Sequence, residues 1–188
     1  MISWVDDIPF VNTWIVKTFN QYTKEKITVL LAKALIEKVF SKNFYKIDNE
    51  NELDLLKGIR SSFSEEKLIL RVDANGAFSA AQAPEVLDQL ASLNVHSIEQ
   101  PIAAGQLDAM RQLCAHTPVP IALDEELIGV HARAQKCTLL DAIRPQYIIL
   151  KPSLHGGLSG VREWIQLAED RGIGWWLTSA LESAIGLS

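Results

Sequence analysis

A short apolar run that ends on a polar residue recurs along this chain at a nearly constant distance, and that period limits the fold more than any other feature. The runs cover residues 68–72 before Asp73, 95–98 before Glu99, 120–123 before Asp124, 147–150 before Lys151 and 175–177 before Thr178. Their polar ends lie 26, 25, 27 and 27 residues apart. Each run has the length of a buried strand. Between them lie segments with helical spacing, Val86, Leu87, Leu90 and Leu93 in one and Val161, Trp164, Ile165 and Ala168 in another. Strand and helix in alternation imply a parallel sheet, and strands that are apolar throughout imply cover on both faces. The unit is about an eighth of a (β/α)8 barrel. A doubly wound open sheet shares the alternation, and what separates the two is where the polar residues fall.

One period before Asp73 stands Lys46, after the apolar pair Phe44 and Tyr45, which makes a sixth candidate strand end. Residues 24–40 read as a helix with Ile27, Leu30, Leu31, Ala34, Leu35 and Val39 on its apolar side. A further helix is expected to start just past Phe78, either through a capping box of Ser79 with Gln82 or with Pro84 at its first position. Residues 1–22 have no clear register, so the expected division is an irregular segment 1–22 followed by one domain over 23–188.

Composition excludes several classes of function. Of the 188 residues 48% are hydrophobic and 22% charged, the balance of a folded domain rather than a disordered chain. A formal net charge of -5 offers no basic footprint for nucleic acid or anionic lipid. No apolar run approaches the ~20 residues of a membrane span, and residues 1–10 carry Asp6 and Asp7 without the basic stretch of a secretory signal. Two cysteines, Cys114 and Cys137, make neither a disulfide framework nor a zinc spacing, and both read as helix thiols of a cytoplasmic protein. His96, His116 and His131 read as packed or surface residues, and Gly156 with Gly157 as a turn.

In a parallel barrel the C-terminal strand ends converge on one mouth, which makes Asp73, Glu99 and Asp124 neighbours in space. Any one of them alone reads equally as a helix cap or a solvated loop charge. Three in consecutive units at one offset repel one another and call for a cation, a hard divalent metal with Mg2+ favoured and Mn2+ as substitute. Lys151 follows on the next strand, partly desolvated, with burial and a metal lowering its pKa and the acids raising it. Lys46 approaches from the other side. Two lysines flanking a metal can take a proton from the carbon beside a carboxylate, so a small carboxylate is the expected substrate.

The stretches Arg71-Val72-Asp73-Ala74-Asn75-Gly76-Ala77-Phe78, Ser97-Ile98-Glu99-Gln100-Pro101, Ala122-Leu123-Asp124-Glu125-Glu126-Leu127 and Ile149-Leu150-Lys151-Pro152-Ser153 resemble the enolase superfamily, in its muconate-lactonizing branch. Within it the chain is most similar to the o-succinylbenzoate synthase family, over about residues 46–188. The resemblance implies that Asp73, Glu99 and Asp124 ligate Mg2+, with Asn75 and Glu125 behind them. It further implies that Lys46 is the base and that Lys151 is the cation steadying an enediolate. Ser179 falls where such enzymes contact substrate, and reads equally as a helix cap. The implied reaction is the syn dehydration of a cyclohexadiene carboxylate in menaquinone biosynthesis.

Two departures from the family pattern bear on these expectations. Phe44 stands where the first lysine of a Lys-x-Lys pair is expected, and a further period beyond Thr178 runs past Ser188. The expected fold is therefore an incomplete (β/α)8 TIM-type barrel with parallel strands, lacking strand eight and an N-terminal lid domain. Its open edge would be covered by a second copy or another partner chain. An acylamino-acid racemase, a dipeptide epimerase and a catalytically inactive barrel fragment remain alternative readings.

Overall fold

The computed structural model describes residues 49–178 and Ala180, with side chains from Leu53 onward. The helix expected over residues 24–40, Phe44, Lys46 and Ser179 lie outside the described residues. Helices and strands alternate: α1 (Asn49–Ser62), β1 (Arg71–Asp73), α2 (Ala83–Ser92), β2 (Ser97–Glu99), α3 (Leu107–His116), β3 (Ile121–Leu123), a single 3-10 turn (Glu125–Leu127), α4 (Arg133–Ile143), β4 (Tyr147–Leu150), α5 (Gly157–Glu169) and β5 (Gly174–Leu177). The five strands form one sheet in the order β1-β2-β3-β4-β5, each parallel to the next. Each strand lies beside its predecessor, so the order never reverses as it does at the centre of a doubly wound sheet. The chain folds as part of a (β/α) barrel.

Curvature is visible in one contact. With strands ~4.8 Å apart, a flat sheet would hold β1 and β5 roughly 19 Å from each other. Instead the guanidinium of Arg71 on β1 lies 4.4 Å from the ring centre of Trp176 on β5. Trp176 lies against Tyr147 with ring centres 5.3 Å apart and planes tilted by 51°, and Tyr147 against His96 at 5.4 Å, so a band of rings runs across the concave face.

The helices bury the apolar stripes that define them. On α2 Ala83, Leu87 and Leu90 are buried, and on α5 Val161, Trp164, Leu167 and Ala168, in one core with strand residues such as Val72, Ile98, Leu123 and Ile148. Of the two expected α2 starts, the structure shows the one with Pro84. Ser79 and Gln82 exchange hydrogen bonds (Ser79 N–H to Gln82 Oε1 at 3.2 Å, Gln82 N–H to Ser79 Oγ at 3.3 Å), but they close a separate turn, and Pro84 occupies the first turn of the helix proper. Arg60 fastens α1 to the end of α2 by donating to the carbonyls of Leu93 and Asn94 at 2.8 and 3.1 Å. A cation is favoured at that helix end. Cys114 lies on α3, buried, and Cys137 on α4, half-buried, both as free thiols. No helix among the described residues is long and apolar enough to cross a membrane.

Candidate active site

The parallel sheet brings the C-terminal ends of β1, β2, β3 and β4 together, and the sequence has put a charged residue at each. Asp73 and Glu99 face each other in register on β1 and β2, 4% and 7% exposed. Asp124, 1% exposed, follows β3 directly. Lys151 follows β4, and its ammonium hydrogen-bonds Asp124 Oδ2 and lies 3.9 Å from Glu99 Oε1. Three of these four groups, Glu99, Asp124 and Lys151, are thus drawn into one charged cluster, with Asp73 beside Glu99 on the neighbouring strand.

Each group is set by its loop. Asp73 Oδ1 accepts the N–H of Asn75 at 3.0 Å, so Asn75 supports the carboxylate through its backbone while its own side chain is exposed. Gly76, at φ 72, brings the loop after β1 onto the loop after β2, where a Cβ would come within 2.8 Å of the Ala103 Cα. Only glycine fits there. Lys151 is gripped by His155, which is 3% exposed: the Lys151 N–H donates to His155 Nδ1 at 2.9 Å, and the His155 N–H donates back to the Lys151 carbonyl at 3.1 Å.

The electrostatics follow from burial among acids. Burial pulls Lys151 down most strongly. The hydrogen bond to Asp124 and the charges of Asp124, Glu99 and Glu125 together outweigh it, and the ammonium is held above the ordinary lysine value. Among these side chains the shift is therefore upward, and the ammonium form is favoured. Glu125, half-buried beside Asp124, is pushed up by burial and then by the Asp124 charge.

Asp124 Oδ1 and Glu125 Oε2 are buried without a hydrogen-bond partner among the described residues. Such oxygens suit a hard divalent cation, which takes carboxylate ligands. The described residues hold no three His, Cys, Asp or Glu side chains already gathered into a metal cage, and the charge facing Asp124 and Glu99 is the Lys151 ammonium. Sequence reasoning assigned no role to His155, Gln100 or Glu126, all buried behind the strand ends. Nothing local marks them, because their partners are set by the fold.

Comparison with known proteins places this geometry. Residues 21–188 match the family model described as enolase C-terminal domain-like. The chain is 59% identical over 142 residues to an o-succinylbenzoate synthase of Desulfotalea psychrophila, covering 76% of this chain and 38% of that protein. It is 32% identical over 159 residues to an N-succinylamino acid racemase of Thermus thermophilus, covering 85% of this chain and 42% of that one. The crystal structure of MenC from Desulfotalea psychrophila superposes with a TM-score of 0.74 at 54% identity, over 84% of this chain and 45% of that chain. Muconate lactonizing enzyme from Pseudomonas putida gives 0.67 at 27% identity, over 74% and 38%. The chain spans less than half the length of each of these relatives.

Proposed function

The chain belongs to the enolase C-terminal domain-like family, and from that premise we propose that it is the barrel portion of a Mg2+-dependent dehydratase of the o-succinylbenzoate synthase type, acting in the cytoplasm in menaquinone biosynthesis. The observation that carries the reading is the buried meeting of Lys151 with Asp124 and Glu99 at successive parallel strand ends. The higher identity to a synthase than to a racemase favours dehydration over racemisation.

Asp73, Glu99 and Asp124 would hold the cation, Mg2+ or Mn2+. When bound, it supplies positive charge that anchors the substrate carboxylate and lowers the cost of charge growing on it. The Lys151 ammonium faces the same region and, staying protonated, steadies the enediolate that forms when a proton leaves the carbon beside the carboxylate. Lys46 takes that proton in this reading and returns it to the hydroxyl on the neighbouring carbon, on the same face, so that the C–O bond breaks and water departs. His155 keeps Lys151 in place by bonding both its backbone groups.

The test is a Mg2+ titration followed by thermal melting, on this chain and on Asp124→Asn. A metal-dependent rise in Tm that the substitution removes is the expected result, and it is followed by an assay for water loss from the cyclohexadiene carboxylate. A folded chain whose Tm ignores Mg2+ would overturn the reading.

A further inference from the structure

Gln100 is fully buried at the end of β2, with a backbone φ of 37, and every hydrogen-bonding capacity of its side-chain amide is used. Its Oε1 accepts the N–H groups of Asp124 at 3.1 Å and Glu126 at 3.4 Å. Its Nε2 donates to the Ile102 carbonyl at 3.1 Å and to Glu126 Oε2 at 3.2 Å. The other oxygen of Glu126, a residue 7% exposed, accepts the Gly105 N–H at 3.0 Å. The backbone of Gln100 extends the linkage: its N–H donates to Ala122 O at 2.9 Å on β3, and its carbonyl accepts the Gly76 N–H at 2.7 Å in the loop after β1. One residue thus ties together the loops that follow β1, β2 and β3, and each of those strands ends on or one residue before a carboxylate.

A buried amide and a buried carboxylate are costly to dehydrate, and a network of this kind is favourable only when every member is satisfied. A merely stabilising core position would be filled at lower cost by an apolar side chain. What the polar pair adds is direction: Asp124 has a backbone φ of -125 and ψ of -79 as it leaves β3, and its N–H is held by Gln100 alone among the contacts described for it.

We propose that Gln100 and Glu126 are positioning residues that fix the main chain of Asp124 and thereby set the affinity of the carboxylate cluster for a divalent cation. The inference rests on the reading of Asp124 as a metal ligand. It differs from that reading in placing the control of affinity in two residues outside the proposed ligand set.

The test is Mn2+ affinity of the full chain, measured by electron paramagnetic resonance of the free ion, with Tm recorded for every variant. Gln100→Met keeps the side-chain length and removes the hydrogen bonds, and Gln100→Glu sets two carboxylates against each other. The exchange Gln100→Glu with Glu126→Gln restores a donor facing an acceptor. Weakening of Mn2+ binding by tenfold or more in both single variants, with recovery to within about threefold in the exchange, is the expected pattern. General loosening of the core would lower Tm without that recovery. Unchanged affinity in folded Gln100→Met overturns the inference and leaves the proposed function standing, whereas absence of Mn2+ binding by the unsubstituted chain overturns both. Should Gln100→Met fail to fold, the folded exchange variant decides, supporting the proposal at native affinity and refuting it if it binds as weakly as Gln100→Glu.

Discussion

At the scale of single residues, burial decides what a polar group can do. The Cys114 thiol is pushed up to about 12, chiefly by burial and then by the charge of Glu126. The thiolate is the reactive form, so the raised pKa and burial both disfavour reaction of Cys114 in the folded chain. With a disulfide reagent at neutral pH, the half-buried Cys137 is expected to react first and Cys114 only after denaturant is added, a difference read directly from the absorbance trace. His155 must be neutral at Nδ1 to accept from Lys151, and burial holds its pKa below the ordinary value, with Lys151, Lys136 and His131 adding to the shift and Asp124 opposing it. The unfolded chain therefore binds this proton first. The contribution of His155 to stability is complete above about pH 6.5 and is lost as pH falls through the depressed folded value. Melting between pH 7 and 5 should show a steeper fall in Tm for the native chain than for His155→Asn, which offers an acceptor that does not titrate.

At the scale of elements, what was legible in the sequence was the ends of strands. A charged residue closing an apolar run is a local signal, and β1 to β4 end at Asp73, Glu99, Leu123 and Leu150, on or one residue before the charges that marked them. The α2 boundary was less legible, since Ser79 and Gln82 carry the signature of a cap yet build a turn ahead of it. Helix α1 was missed because only Leu53, Leu56 and Ile59 mark its inner face. Gln100 and Glu126 stand one period apart, as the strand-end acids do, but neither closes an apolar run, so nothing in the sequence marked them as a pair. Helix α5 offers a test in which propensity and packing disagree. Alanine for a helical glycine ordinarily stabilises by about 0.5–1 kcal/mol, but a Cβ on Gly160 would collide with the carbonyl of His155. Gly160→Ala should therefore destabilise by ~1–3 kcal/mol, measured as a lower urea midpoint, because α5 must retreat from the loop that holds Lys151.

At the scale of the whole molecule, the period of 25 to 27 residues and the unreversed strand order have one cause, since each unit packs on the one before it. The site follows from that repetition. Charges distant in sequence become neighbours because parallel strands end on the same side, which is why the cluster could be read before any coordinate was known. The closing of the curve was not legible, because nothing local in Arg71 foretells Trp176. Every strand pairing joins segments about one repeat apart, whereas the Arg71–Trp176 contact spans roughly a hundred residues. Short loops are cheap to close and long ones become favourable only after the intervening units are in place. A chain emerging from the ribosome can therefore stack its repeats one after another as they appear, but it cannot draw this chord until Trp176 has been made. The cation resting on that indole then marks the moment at which a row of units becomes a curved wall.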